Sequence, residues 1–256
     1  MIVAALHDHR PSLMAEPEWS VVSGPSPDED PALFEISYTL DTLAQLAILY
    51  PVRDETIARI QLPISAIESS IVRIRTLLED SLNLLNKIQH RRTRWLEAHP
   101  FAEFSTLPQA HVTACSSQPY PFEEVTQFTT MHAANSSVLY HTAVILILQF
   151  ITSICQFLPA KEQNELKQQV PAAQEISFAV EQILKSMDYH VQSTRPTPSS
   201  GSASFYLLLP LRVAYQALSN SSLPQEASSR RWLAEVFEVT LHKIRPWTSN
   251  KQLFSL

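Results

Sequence analysis

The chain has 256 residues, 45% of them hydrophobic and 17% charged, which is the composition of a globular protein. Its 19 basic and 25 acidic residues leave a net charge of −6, a balance that argues against a broad grip on a nucleic-acid backbone. Glycine occurs only at Gly24 and Gly201, where average usage of about 7% would give roughly 18. Dinucleotide fingerprints, P-loops and nucleophile elbows all need clustered glycines, so those enzyme classes are excluded.

Sandwiches and barrels also consume glycine in tight turns, so the scarcity, together with 18 prolines, favours helices joined by proline-broken loops. The expected fold is all-α, an irregular multi-helix bundle around a central buried apolar helix. Cys115 and Cys155 match no metal spacing or disulfide framework, which fits a reducing, intracellular setting. The opening stretch MIVAAL is followed at once by His7, Asp8, His9 and Arg10 and is too short for a signal-peptide core.

Residues 1–30 hold Pro11, Pro17, Pro25 and Pro27 and the acidic run Asp28, Glu29, Asp30 without a hydrophobic period; they read as a flexible lead-in to a helical regulatory domain over 31–256. Leu33, Ile36, Leu40, Leu43, Ala47 and Tyr50 step by three and four, predicting a helix that Pro51 ends. A longer helix is predicted from Ile64 to His99, with Ile64, Ile67, Ile71, Ile74, Leu78, Leu82, Leu85, Ile88 and Trp95 as its stripe. Pro100 closes it, and the twenty residues that follow read as a loop, either a functional lid or a disordered connection.

From Val125 to Ala160 no Asp, Glu, Lys or Arg occurs, and Val138–Leu158 is apolar nearly all round. Such a helix is the central member of a bundle or a membrane span. His141, Gln149, Thr152, Ser153 and Gln156, with no flanking basic cluster, favour the bundle. Ile176, Val180, Ile183, Leu184, Met187 and Val191 form a further stripe, and QSTRPTPSSGSAS an exposed loop. FYLLLPLRVAYQAL follows, a buried helix that kinks or begins at Pro210. The last helix carries Leu233, Val236, Phe237, Thr240, Leu241 and Ile244, entered through Ser222 and Gln225 at capping-box spacing with Pro224 in its first turn.

No pair among the nine histidines has the spacing that puts two metal ligands on one helical face. His132 and His141 fall on opposite sides of a helix, and His7 and His9 lie in the lead-in. No serine occupies a strained elbow. No catalytic, cofactor-binding or metal-binding residue is therefore assigned, and the chain is read as a non-enzyme without cofactor. Arg91, Arg92 and Arg94 close the long helix, where cations complement the helix dipole, and they read as a solvated end. Arg230 and Arg231 are expected to place one charge in water while Trp232 packs.

The order of segments RWLEAHPF, MHAANSSVLYHTAVILIL, SICQFLP, AAQEISFAVEQILKSM, GSASFYLLLPLRVAYQAL and RRWLAEVFEVTLHKI resembles the C-terminal regulatory region of fungal zinc binuclear cluster transcription factors. The likeness covers roughly residues 33–250. It implies an all-helical nuclear domain, or one shuttling between nucleus and cytoplasm, that controls pathway genes such as those of secondary metabolism. It also implies work through DNA-bound or transcription-machinery partners, with room for a small-molecule effector and for homodimers. Such factors carry a six-cysteine DNA-binding module that two cysteines cannot build, so direct DNA binding by these residues alone is not expected. The chain would then be a piece of a longer factor or a stand-alone regulator. The competing expectation is a membrane-anchored adaptor with 138–158 as its span.

Overall fold

A computed structural model describes Leu6, residues 8–9, 30–60, 67–108, 120–193, 201–219 and 224–244. Among the described residues the chain is helix-dominated, an all-α architecture with one small hairpin. In chain order the elements are α1 Pro31–Ile60, α2 Ile67–Ala98, β1 Glu103–Thr106, β2 Val125–Phe128, α3 Met131–Cys155 and α4 Ala160–Gln169. They continue with α5 Ala172–Lys185, α6 Met187–Ser193, α7 Gly201–Ser219 and α8 Pro224–Ile244. Two compact units result: residues 1–99 with 143–178, and residues 100–142 with 179–256.

In the first unit α1 packs along α2. Asp30 starts α1: its Oδ1 accepts from Ala32 N at 2.9 Å, with Pro31 in the first helical position, where its missing N–H costs nothing. The helix does not stop at Pro51, as the sequence predicts, but continues to Ile60. Pro51 forfeits the bond to the Ala47 carbonyl, and the turn beyond it is held instead by Arg53, whose Nη1 donates to Ser153 Oγ at 3.2 Å, and by buried Thr56. The buried face of α1 keeps the predicted Ile36, Leu43, Ala47 and Tyr50 and departs from the prediction at its start. Ala32, Glu35, Ile36, Thr39, Leu43, Ala47 and Tyr50 line it, whereas Leu33 is exposed.

Helix α2 has 32 residues, about 48 Å at 1.5 Å per residue. It buries Ser70, Ile74, Leu77, Ser81, Leu84, Leu85, Ile88, Arg92 and Trp95. Leu77 and Leu84 thus belong to the core, while the predicted Leu78 and Leu82 are half-buried. The polar helix α4, which the hydrophobic pattern does not reveal, buries only Leu166. Glu162 in its first turn and Lys167 in its last complement the helix dipole, and Arg75 of α2 grips Glu162 through Nε at 3.0 Å and Nη2 at 2.7 Å.

Helix α3 is mostly buried, with Thr152 exposed near its end; residues up to Thr142 belong to the second unit and those from Ala143 onward to the first. Ile145, Ile147, Leu148 and Ile154 are fully inaccessible, each contributing about 1.5–3 kcal/mol through removal of apolar surface from water. Three of its hydroxyls are satisfied within the helix: Thr142 donates to the Val138 carbonyl at 2.6 Å, Thr152 to Leu148 at 2.8 Å and Ser153 to Phe150 at 2.7 Å. By length and composition α3, like α1, could cross a membrane; 72% of its most apolar window is buried inside the protein.

In the second unit β1 and β2 pair antiparallel, Glu103 opposite Phe128 and Thr106 opposite Val125. β1 falls where the sequence reading places a loop over 100–121, whose residues 109–119 lie outside the described residues, and β2 follows just after it. β2 packs on α6, and α7 on α8. The stripe from Ile176 to Val191 is divided between α5 and α6, because Ser186 Oγ donates to the Ile183 carbonyl at 2.7 Å and interrupts the run. Helix α7 begins at Gly201 and runs through Pro210, so the glycine opens the helix rather than ending the preceding loop. Pro224 begins α8, which buries Trp232, Leu233 and Val236, while Ser222 lies outside the described residues.

Candidate functional site

The polar groups inside this helical protein gather in a few places. The first lies one turn after Pro51. Arg53 donates to Asp54 Oδ1 from Nε at 2.8 Å and from Nη2 at 2.7 Å, and its guanidinium lies 4.8 Å from the Tyr50 ring centroid and 5.6 Å from that of Phe150. Tyr50 meets Phe150 edge-on at 5.2 Å. His9 stacks on the other side of Tyr50 at 4.7 Å, with Nδ1 2.7 Å from Asp54 Oδ2 and a left-handed backbone φ of 47°.

Burial would raise the Asp54 carboxyl, but hydrogen bonds from Arg53 and His9 bring it below the usual carboxylate value. Burial pushes the Tyr50 phenol up, with Arg53 opposing and Asp54 adding to the shift. A guanidinium already matched to a carboxylate and enclosed by rings is a fixed binding node rather than a proton donor. The sequence reading leaves His9 in the lead-in, solvated. Leu6, buried, and His9, stacked on α1, show that part of the lead-in is anchored.

Arg91 makes the second node. It donates to Glu35 from Nη2 at 2.8 Å and from Nε at 3.2 Å, and lies 4.3 Å from the Phe34 ring and 4.4 Å from that of Tyr38. Arg92 is buried beside the Trp95 ring at 4.8 Å. Of the three arginines read as a solvated helix end, only Arg94 is exposed. The cation of Arg91 therefore serves packing between α1 and α2, and that of Arg92 packs against Trp95 of its own helix.

The third gathering, in the second unit, joins the hairpin to α6. Gln127 Nε2 donates to Asp188 Oδ2 at 3.0 Å, and Phe128 meets the Tyr189 ring at 5.3 Å. His190 is fully buried; desolvation pushes its imidazole down to about 4, although a backbone hydrogen bond at Ala134 acts the other way. Tyr120 stands edge-on to Trp232 at 5.3 Å, and burial, then the charges of Asp188 and Glu181, push its phenol well up. A neutral imidazole and an un-ionised phenol hold polarity inside an apolar unit without carrying charge.

Among the described residues no group of three or more His, Cys, Asp or Glu side chains is placed to hold a metal ion. Cys155 is a buried free thiol that burial pushes up against the opposing charge of Lys167. His141 is buried against Tyr140, and His132 is half-buried. Arg231 is exposed, Arg230 half-buried and Trp232 buried, as the RRW pattern predicts. His7 and Cys115 lie outside the described residues. The Arg53 and His190 groups escape sequence reasoning because their members come from segments far apart in the chain, and only the Tyr50–Arg53 spacing on one helix hints at either. Comparison with protein-family models, with curated proteins and with solved structures finds no match.

Proposed function

We propose that the chain is a helical transcription-regulatory module of the fungal zinc-cluster type, working through protein partners rather than through direct contact with DNA. The observation that carries this reading is the order of its segments. Four of the six fall on discrete pieces of the fold: MHAANSSVLYHTAVILIL opens α3, AAQEISFAVEQILKSM spans α5 to the start of α6, GSASFYLLLPLRVAYQAL is α7 but for its last residue, and RRWLAEVFEVTLHKI completes α8. The pairing of Arg91 with Glu35 and the burial of Arg92 support the same reading, since they leave only Arg94 of this basic cluster exposed. In this proposal the protein is nuclear, controls a set of pathway genes, has no catalytic step, and has room for a small effector or a second copy.

The test is deletion of the gene, followed by transcript profiling and by measurement of regulator occupancy at the promoters that respond. A coherent gene set should change more than about tenfold, and restoring the chain should reverse the change. Unaltered transcripts and occupancy would overturn the proposal. The length and composition of α3 support a second reading, a membrane-anchored adaptor; it requires the chain to stay with membranes through an alkaline carbonate wash, and recovery in the soluble fraction ends it.

A further inference from the structure

In the second unit the hairpin exposes three large apolar side chains within seven residues: Phe101 is 79% accessible, Phe104 49% and Leu107 78%. Side chains alternate between the two faces of a strand, so Phe104 stands on one face and Phe101 and Leu107, by position, on the other; isolated exposed apolar residues are ordinary, but apolar side chains on both faces of one exposed strand can flank an added strand. Among the described residues β1 pairs with β2 alone. In an antiparallel pair alternate residues aim N–H and C=O away from the partner strand, so the far edge of β1 can receive another extended segment.

The charge carried by the segment that contains the hairpin has one sign. Between Arg94 and Lys161 the chain contains no lysine or arginine, and the charged residues of 100–142 are Glu103, Glu123 and Glu124. Glu123 and Glu124 are exposed at the start of β2. Since Thr106 pairs with Val125, continuing the register by one residue brings Leu107 opposite Glu124. Lys185, which lies 5.8 Å from the Phe122 ring, is already ion-paired with Glu181 at 2.7 Å. Glu103 accepts from Ser137 Oγ at 3.1 Å. The carboxylates free to meet a partner are thus Glu123 and Glu124.

We propose that the β1 edge is a docking strip for an extended, basic peptide segment of a partner protein, which adds as a strand, lays apolar side chains on Phe101, Phe104 and Leu107, and sets lysine or arginine against Glu123 and Glu124. Strand addition gives affinity through the backbone, and the side-chain pattern gives specificity. The charges contribute mostly to encounter rate and to discrimination against acidic segments.

The probe is a fluorescein-labelled seven-residue peptide alternating lysine with valine and leucine, compared with the same peptide carrying glutamate for lysine, by anisotropy against the full chain. The lysine peptide should bind saturably and at least about tenfold more tightly than the glutamate peptide. Phe104→Ser and Leu107→Ser should each weaken it about tenfold, and the double variant Glu123→Gln, Glu124→Gln should remove most of its salt dependence. Val72→Ser, on the exposed face of α2 in the other unit, should change nothing. Equal binding of the two peptides, or insensitivity to Phe104→Ser and Leu107→Ser, overturns the proposal. So does sedimentation showing a dimer that Phe104→Ser dissolves, because a second copy is then the occupant. The inference stands on surface chemistry alone, and failure of the peptide to bind would leave the deletion phenotype expected above untouched.

Discussion

Replacing Arg91 by leucine removes the partner of a carboxylate that has little access to water. The Arg91 side chain is 28% exposed and that of Glu35 10%. Breaking a wholly buried pair costs about 3–5 kcal/mol because one charge is left uncompensated. Water reaches part of this one, so the expected loss is about 2–3 kcal/mol, including the contacts of the guanidinium with Phe34 and Tyr38. For a chain of this size each kcal/mol moves Tm by about 2–4 °C, which predicts a fall of about 5–10 °C and a lower urea midpoint at unchanged slope. Adding Glu35→Gln to Arg91→Leu should restore about 1–2 kcal/mol, since the orphaned charge is then gone. A loss below about 0.5 kcal/mol for Arg91→Leu, or simple additivity of the two changes, would return Arg91 to the solvated helix end that its sequence context suggests.

Three further outcomes follow from the buried polar groups. His190 sits with its imidazole pushed down to about 4 against an ordinary value near 6.5. The unfolded chain binds this proton first, so stability is full above about pH 6.5 and falls towards pH 4, by on the order of 3 kcal/mol. A pH series of urea midpoints should show that slope, His190→Gln should flatten it, and identical profiles would refute the assignment. Asp30→Ala removes the acceptor at the start of α1 and should cost about 1 kcal/mol, read by the same unfolding curves; an unchanged midpoint would mean that the helix start is held by other contacts. Cys155, buried with its thiol pushed up, should react with a thiol reagent only as the chain unfolds, whereas prompt labelling of Cys155 in the native protein, located by mass spectrometry, would contradict its burial.

Periodicity revealed the long helices because burial repeats on them, as at Ile74, Leu77, Ser81, Leu84 and Ile88 of α2. Its errors have local causes. The face of α1 departs from the predicted one only at its start, where small and polar residues, Ala32, Glu35 and Thr39, occupy the packed side and Leu33 and Phe34 lie outside it. Thr39 can be buried because its hydroxyl donates to the Glu35 carbonyl at 2.9 Å, a bond that hydropathy does not register. The same local bonding at Thr152 and Ser153 means that these residues weigh little between a buried helix and a membrane span. Pro51 misled because a proline's local penalty is fixed, whereas the contacts Arg53 makes with Ser153 and Phe150 come from a segment a hundred residues away. Helix α4 was invisible for the opposite reason: with Leu166 alone buried it has no apolar stripe, and its stability rests on charge placement and the Arg75–Glu162 pair.

The polar nodes were less legible still. Arg91 is on view in the sequence as one of three clustered arginines, but nothing local distinguishes it from Arg94. The difference arises only when α1 brings Glu35, Phe34 and Tyr38 alongside. His190 likewise becomes a buried neutral imidazole through the hairpin, whose strands the glycine-poor composition gave no reason to expect.

The proposal that this is a regulatory module working through partners is tested most directly by tethering. The full chain is fused to an unrelated DNA-binding domain and directed to a reporter promoter in a fungal nucleus. Reporter output should change severalfold in one direction, and Phe104→Ser with Leu107→Ser should report whether the hairpin edge contributes. A fusion that is stable, nuclear and bound at the promoter, yet leaves transcription unchanged, would contradict the account.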